Sequence, residues 1–161
     1  MTRSLAALAL LTALAAAPTR AAAEKPIQLS LLAPVQIYSE SESISGLRLS
    51  LLYGKNANFG GLDLSLVGHT TGNFTGVEFG LVGLVDGNLV GWQDNWAANM
   101  VGGTMTGFQW GLFNKARRVE GLQLGLVNVA GTIHGLQIGL VNVIQQGGWL
   151  PVMVLVNGNF N

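Results

Sequence analysis

The sequence lacks cysteine and holds few charged residues. Without cysteine there is no disulfide, no thiolate nucleophile and no cysteine to which a lipid anchor could be attached. Only 10% of the 161 residues are charged, whereas an average soluble protein has about 25%. Residues 24–161 contain six Lys and Arg against eight Asp and Glu, a net charge of −2. With no basic face, nucleic acid is not expected as a partner.

Motifs for catalysis and for metal binding are also missing. His69 and His134 have no carboxylate or second histidine at metal-ligand spacing, so we interpret both as solvated or loop residues. Neither a Gly-x-Ser-x-Gly nucleophile motif nor a phosphate-binding glycine loop occurs. The sequence therefore predicts no enzyme activity, no catalytic or metal-binding residue and no cofactor.

The first 23 residues have the organisation of a secretory signal peptide. Arg3 gives a positive start, Leu5 to Ala17 form an apolar run, and three alanines ending at Ala23 offer a cleavage site. This apolar run is shorter than the ~20 residues that span a bilayer. We expect residues 1–23 to be removed and the protein to be exported to the outer membrane, the cell surface or the periplasm.

Glycine is abundant, at 23 residues, and its spacing marks a repeat. The phrase GLQLGLVNVAGTIH starts at Gly121, and GLQIGLVN follows it at Gly135. Units of 14 to 16 residues begin at Gly46, Gly61, Gly76, Gly91, Gly107, Gly121 and Gly135. A partial unit occupies residues 27–37, and a deviating unit at residues 150–161 stands where a repeat array needs a cap. The sequence predicts one β-repeat domain over residues 24–161.

Apolar and polar residues alternate after each unit glycine, which is typical of a strand with one apolar face. After Gly121, for example, Leu124 and Leu126 alternate with Gln123 and Gly125. We expect the leucine positions to face the core and the glutamine positions to face solvent. On this assignment Leu126→Asp should unfold the protein, whereas Gln123→Asp should be mild.

A further apolar column stands two residues before each glycine and decides the predicted fold. Its members are Ile44, Phe59, Phe74, Leu89, Met105, Val119 and Ile133. A straight strand cannot place this column on the same face as the leucines, so we predict a corner at the glycine. Strands joined by such corners form an all-β solenoid of short coils, in which the asparagines Asn114, Asn128 and Asn142 can bond from coil to coil. The alternative is a small up-and-down outer-membrane β-barrel.

Two departures from the repeat are candidates for function. Arg48, Asp63 and Glu78 occupy the glutamine column, where we expect an Arg48–Asp63 ion pair on a solvated outer face. In the irregular unit that starts at Gly91, Asp94 replaces an apolar residue that we place toward the core, where a lone carboxylate is costly. The predicted interaction patch consists of Trp92, Asp94, Asn95 and Trp96.

The phrases GLQLGLVN (residues 121–128) and GLQIGLVN (residues 135–142) resemble the short surface-repeat family of exported bacterial proteins. Degenerate copies, such as GLRLSLLYGKN and the closing LPVMVLVNGNF, extend the resemblance over residues 27–161. The resemblance implies a signal-bearing surface or envelope protein and transfers no functional residue. We expect a non-enzymatic role, structural or in interaction with an unknown surface or envelope partner, and membrane association is compatible with it. The alternative is an outer-membrane barrel with a structural or transport role.

Overall fold

The structure, a computed structural model, describes residues 24–160, and in this range all regular secondary structure is β-strand. The strands are β1 (Lys25–Leu32), β2 (Val35–Gln36), β3 (Ile44–Asn56), β4 (Phe59–Thr70), β5 (Phe74–Val85), β6 (Leu89–Ile144) and β7 (Val152–Asn159). The predicted signal peptide, residues 1–23, lies outside the described residues.

The chain winds as a β-solenoid whose consecutive coils pair in parallel and in register. Gly46 lies beside Gly61, Gly61 beside Gly76, and Gly76 beside Gly91. The long strand β6 contains the units that follow and bends with the coil instead of ending at its corners. The predicted all-β solenoid is therefore confirmed. The barrel alternative is wrong, because neighbouring strands of an up-and-down barrel run antiparallel and these coils do not.

The unit glycine is not the corner that the sequence predicts, because β3, β4 and β5 continue through Gly46, Gly61 and Gly76, but its backbone conformation is special. Positive φ angles between 127° and 146° occur at Gly46, Gly61, Gly76, Gly91, Gly107, Gly121 and Gly135. Residues with a side chain rarely adopt this conformation. The neighbouring coil also approaches closely, since a Cβ on Gly61 would lie 2.0 Å from the carbonyl oxygen of Gly46. Both the dihedral angle and the close approach therefore require glycine.

The faces of the strand after this corner are the reverse of the prediction. The glutamine column is buried and the leucine columns face outward, so Gln123 is 0% exposed while Leu126 is 53% exposed. The buried column contains Gln28, Arg48, Asp63, Glu78, Gln93, Gln109, Gln123 and Gln137. The column two residues before the glycine is buried as predicted. It lies four residues before the glutamine column, and an even separation places both on one face.

Hydrogen bonds between side-chain amides make glutamine a suitable core residue here. The Nε2 group of Gln109 donates to Oε1 of Gln93 at 2.8 Å, Gln123 donates to Gln109 at 2.7 Å, and Gln137 donates to Gln123 at 2.8 Å. A buried amide is costly only when its hydrogen-bonding groups have no partner. The stack of identical coils supplies that partner, because each glutamine meets another one coil away.

Asparagines form a second buried ladder that runs in the opposite direction. Asn99 donates to Asn114, Asn114 to Asn128, and Asn128 to Asn142, each at 2.8 Å. The glutamines donate to the preceding coil, whereas these asparagines donate to the following one. The predicted bonding of asparagines from coil to coil is confirmed. Because the two rows of amide dipoles point in opposite directions, they partly cancel along the stack.

The remainder of the interior is an apolar strip. Its buried members are Ile44, Phe59, Phe74, Val85, Leu89, Val101, Met105, Ala116, Val119, Ala130, Ile133 and Ile144. The core of each coil is therefore polar on one side and apolar on the other. Both ends of the stack are covered by antiparallel strands, β2 on β1 and β7 on β6. Such terminal strands satisfy backbone groups that an end coil would otherwise expose.

The requirement for glycine at the unit position can be tested by substitutions at two adjacent residues. Gly61→Ala should lower the free energy of unfolding by about 2–4 kcal/mol, because it adds both a strained φ angle and a clash. Gly60 is the matched control: a Cβ there would meet no atom closer than 3.9 Å. Gly60→Ala should change stability by less than about 1 kcal/mol. Urea unfolding of both variants checks this expectation, and equal losses would contradict the requirement for glycine at position 61.

The assignment of inner and outer faces reverses the expected effects of two substitutions. Gln123→Asp breaks the buried ladder and places a carboxylate in it, so it should cost about 3 kcal/mol or more. Leu126→Asp adds a charge at a half-exposed site and should cost less than about 1 kcal/mol in the isolated monomer. Urea unfolding at low protein concentration measures both. If Leu126→Asp proved the more harmful, the leucines would lie inside.

Candidate functional site

One face of the solenoid is apolar from end to end although it is exposed. It is formed by the residues one, three and five positions after each unit glycine, together with the matching Ile27, Leu29 and Leu31 of β1. We call it the apolar face. Its half-exposed or more exposed members include Leu51 at 68%, Trp96 at 59% and Leu140 at 60%. Monomeric soluble proteins rarely expose a continuous apolar patch of this extent, and such patches mark sites of interaction.

Aromatic rings are concentrated in the middle of the apolar face. The Phe79 and Trp92 rings have centroids 6.2 Å apart, and the Trp92 and Phe108 rings meet edge to face at 5.4 Å. Trp96 and Trp110 lie on the same face. The first three coils and the last two present aliphatic residues at the corresponding positions. The apolar face thus has an aromatic centre and aliphatic flanks.

The structure brings together three of the four residues of the predicted patch. Trp92, Asp94 and Trp96 lie side by side on the apolar face. Asn95 points inward, is fully buried and donates to Oδ1 of Asn99 at 2.8 Å, so it does not belong to the patch. Asp94 does not face the core as expected. Partial burial among apolar neighbours nevertheless raises the pKa of its carboxyl group.

Three shallow grooves open on the apolar face between its outward columns. The largest, about 690 Å³, lies beside β2 and is lined by Leu29, Leu31 and Leu49. Grooves of about 520 and 380 Å³ follow along the stack, the latter between Trp110 and Leu140. Small inward residues form the floors, which are Ser30, Ser50, Ser65, Gly80, Gly111, Gly125 and Gly139. Ridges of side chains therefore alternate with furrows on this face.

The charged column is buried, which overturns the predicted solvated outer face. The guanidinium of Arg48 pairs with the carboxylate of Asp63, as predicted, and both side chains are 0% exposed. Arg48 also donates to the carbonyl of His69 at 3.1 Å and lies over the Phe59 ring. A buried cation and anion that are paired in this way avoid most of the cost of an isolated buried charge.

Glu78 is a second carboxylate next to this pair. Its Oε2 accepts a hydrogen bond from Gln93 at 2.7 Å, so the glutamine ladder ends on it. Burial, with a further contribution from the Asp63 carboxylate, raises the pKa of Glu78 to about 8. A single guanidinium cannot neutralise two carboxylates, and Glu78 therefore holds a proton at neutral pH. This cluster is enclosed, so its ionisation affects the stability of the fold and does not act on an external molecule.

A hydrogen-bonded line of Tyr53, His69 and Asp86 crosses three coils and was missed by the sequence analysis. The Tyr53 hydroxyl is 2.8 Å from Nδ1 of His69, and Nε2 of His69 is 3.1 Å from a carboxylate oxygen of Asp86. His69 is therefore partnered rather than a solvated loop residue. Burial raises the pKa of Tyr53, which is the opposite of what an activated nucleophile requires. The only sequence signal for this line is the spacing of 16 and 17 residues, close to one coil.

Within residues 24–160, no three His, Asp or Glu side chains lie close enough together to hold a metal ion. The same part of the chain has no helix of the length and hydropathy that would cross a membrane.

Comparison with protein-family models, with curated proteins and with solved structures finds no match for this chain.

The protonation of Glu78 predicts a dependence of stability on pH. Its pKa in the folded protein, about 8, lies above the ordinary glutamate pKa of 4.5, so the folded state binds the proton more tightly. This contribution is fully present below about pH 4.5 and is lost as the pH rises through about 8, a change of a few kcal/mol. Urea unfolding at about pH 5 and about pH 9 measures the loss.

Glu78→Gln is the matched variant, because glutamine occupies the same column in five other coils. It removes the titrating group and keeps an acceptor for Gln93. Its stability should therefore fall less with pH than that of the wild type, and at about pH 9 it should be the more stable protein. Identical pH profiles for the two proteins would contradict a protonated Glu78.

Proposed function

We propose that this protein is a non-enzymatic cell-envelope or surface protein that acts by binding a partner through its apolar face. The single observation that supports the interaction role is the exposed apolar face with its aromatic centre. Buried surface on such a face contributes about 25 cal/mol per Å², so covering it is strongly favourable. The three outward residues of the predicted patch, Trp92, Asp94 and Trp96, lie at the centre of this surface.

The location in the envelope rests on the sequence. The signal-like residues 1–23 support export, and the repeated GLQ[LI]GLVN phrases support membership in the surface-repeat family. A rigid solenoid suits a surface role, because repeat arrays bind through extended faces and not through deep pockets. An exported protein without cysteine must also be stable without disulfides, and the amide ladders supply contacts of the required kind.

Site-specific photo-cross-linking tests the interaction role. A photoreactive amino acid at position 126, on the apolar face, should give cross-linked products in cells that export the full chain. Met100 is the matched control position, because it is apolar and 38% exposed but lies beside Leu84 of the preceding coil, in a column that does not belong to the apolar face. Position 100 should give much weaker products. Equal labelling from the two positions would overturn the proposed role of the face.

Export is tested separately on the same cells. Mass spectrometry of the purified protein should find cleavage after Ala23, and fractionation should place the protein in the envelope or periplasm. An uncleaved chain in the cytoplasm would overturn the envelope assignment while leaving the test of the apolar face valid.

A further inference from the structure

We propose that the occupant of the apolar face is a second copy of this chain, which packs against it face to face as a two-fold dimer. The inference rests on the proposed function, since it names the partner of the same face. Two apolar sheet faces pack at about 10 Å, as the two sheets of a β-sandwich do. Each copy would then supply the half of the apolar core that its own coil leaves open to solvent.

The size of the apolar face matches the needs of a stable dimer. Eight coils at ~4.8 Å and a face about five residues wide give a footprint of ~38 by ~17 Å, or ~650 Å². Protruding side chains make the accessible area larger than this flat footprint. A standard protein interface buries about 800 Å² on each partner. The face is therefore large enough for an interface of ordinary size.

The arrangement of residues along the stack is suited to a two-fold axis. Such an axis through the middle of the face superposes the aromatic centre on itself and sets the aliphatic flanks of one copy against those of the other. Tryptophan at the centre of an interface, surrounded by contacts that exclude water, is the usual pattern of binding hot spots. Trp92, Trp96 and Trp110 have this position.

The shape of the apolar face is complementary to that of the same face on a second copy. Furrows floored by Ser50, Gly80 or Gly125 run between columns of large apolar side chains. The same columns on a second copy provide ridges of matching spacing, since both are set by one strand period. The ridges of a second copy are therefore sufficient to fill these furrows.

The charges around the face favour a protein over a bilayer. Surfaces that lie on membranes usually place Lys and Arg beside the apolar residues, where they meet lipid headgroups. From the second coil onward, the positions before the unit glycines hold Ser45, Gly60, Thr75, Val90, Thr106, Glu120 and His134, and the basic Arg118 beside them is paired with Glu120 at 2.9 Å. Asp94, an acid in the middle of the face, would also have to enter the bilayer. In a dimer Asp94 lies near the axis and weakens the association.

Sedimentation velocity of the full chain, purified as the host exports it and freed of detergent, tests the dimer. The wild type should sediment as a dimer across micromolar concentrations. Leu126→Glu should weaken dimerisation by about 100-fold or more, because each interface then contains two buried charges. Met100→Glu, the same type of change at an exposed apolar position outside the face, should leave the dimer intact. Asp94→Asn should tighten it by about 10-fold.

Circular dichroism of each variant separates dissociation from unfolding, since Leu126→Glu should keep the β spectrum of the wild type. A wild type that is monomeric at high micromolar concentration would overturn the dimer. So would equal dissociation by Met100→Glu, or binding of the wild-type monomer to vesicles of zwitterionic phosphatidylcholine. In these cases photo-cross-links from position 126 to another molecule would still support the proposed interaction role, so the two proposals fail separately.

Discussion

The vertical spacing of the coils is the constraint on which the structure depends. Parallel coils stack at ~4.8 Å, so every inward side chain must tolerate a near-identical neighbour at that distance above and below. Glutamine and asparagine meet this condition well, because the amide of one coil donates to the carbonyl oxygen of the next at 2.7–2.8 Å. Small residues such as Gly111 and Gly125 leave the space that these amides need.

Substitutions within the ladders follow the same constraint of volume and charge. The coils that hold Asp63 and Glu78 have glycine, not asparagine, on the facing side. A Cβ on Gly68 would lie 2.5 Å from Glu78 and 2.6 Å from Asp63, and a Cβ on Gly83 would lie 2.4 Å from Glu78. The charged cluster therefore fits only where the residue on the facing side of the coil is glycine. The first coils are thus a variant of the amide ladder in which an ion pair and a protonated acid replace the amides.

The sequence was sufficient for the repeat, the stacked coils and the Arg48–Asp63 pair, because each is set by the spacing of the units, but the corner predicted at the unit glycine is wrong, because the strands continue through it. It was not sufficient for the faces. Hydrophobicity placed Leu126 inside, although strand parity places Gln123 on the same face as the buried Val119, four residues earlier. Parity was the more reliable signal, since it follows from backbone geometry. The assignment from hydrophobicity failed because it considered each glutamine as an isolated polar residue. In the stack, the buried glutamine amides of successive coils are hydrogen-bonded to one another.

The same reversal changes the meaning of the predicted patch. Trp92, Asp94 and Trp96 were chosen as a defect in an apolar core, yet they lie at the centre of an exposed apolar face, while Asn95 belongs to the interior. A core that is already filled by amides leaves the leucine and aromatic columns half-exposed, with contacts along the stack such as that between Phe79 and Trp92. Their regularity over eight coils supports the proposed role in contact with another molecule, because the exposed part of a leucine adds nothing to the stability of an isolated monomer. Because amides fill one side of the interior, the apolar columns stay exposed, and the interaction proposed for the outer surface follows from the interior chemistry of the coil.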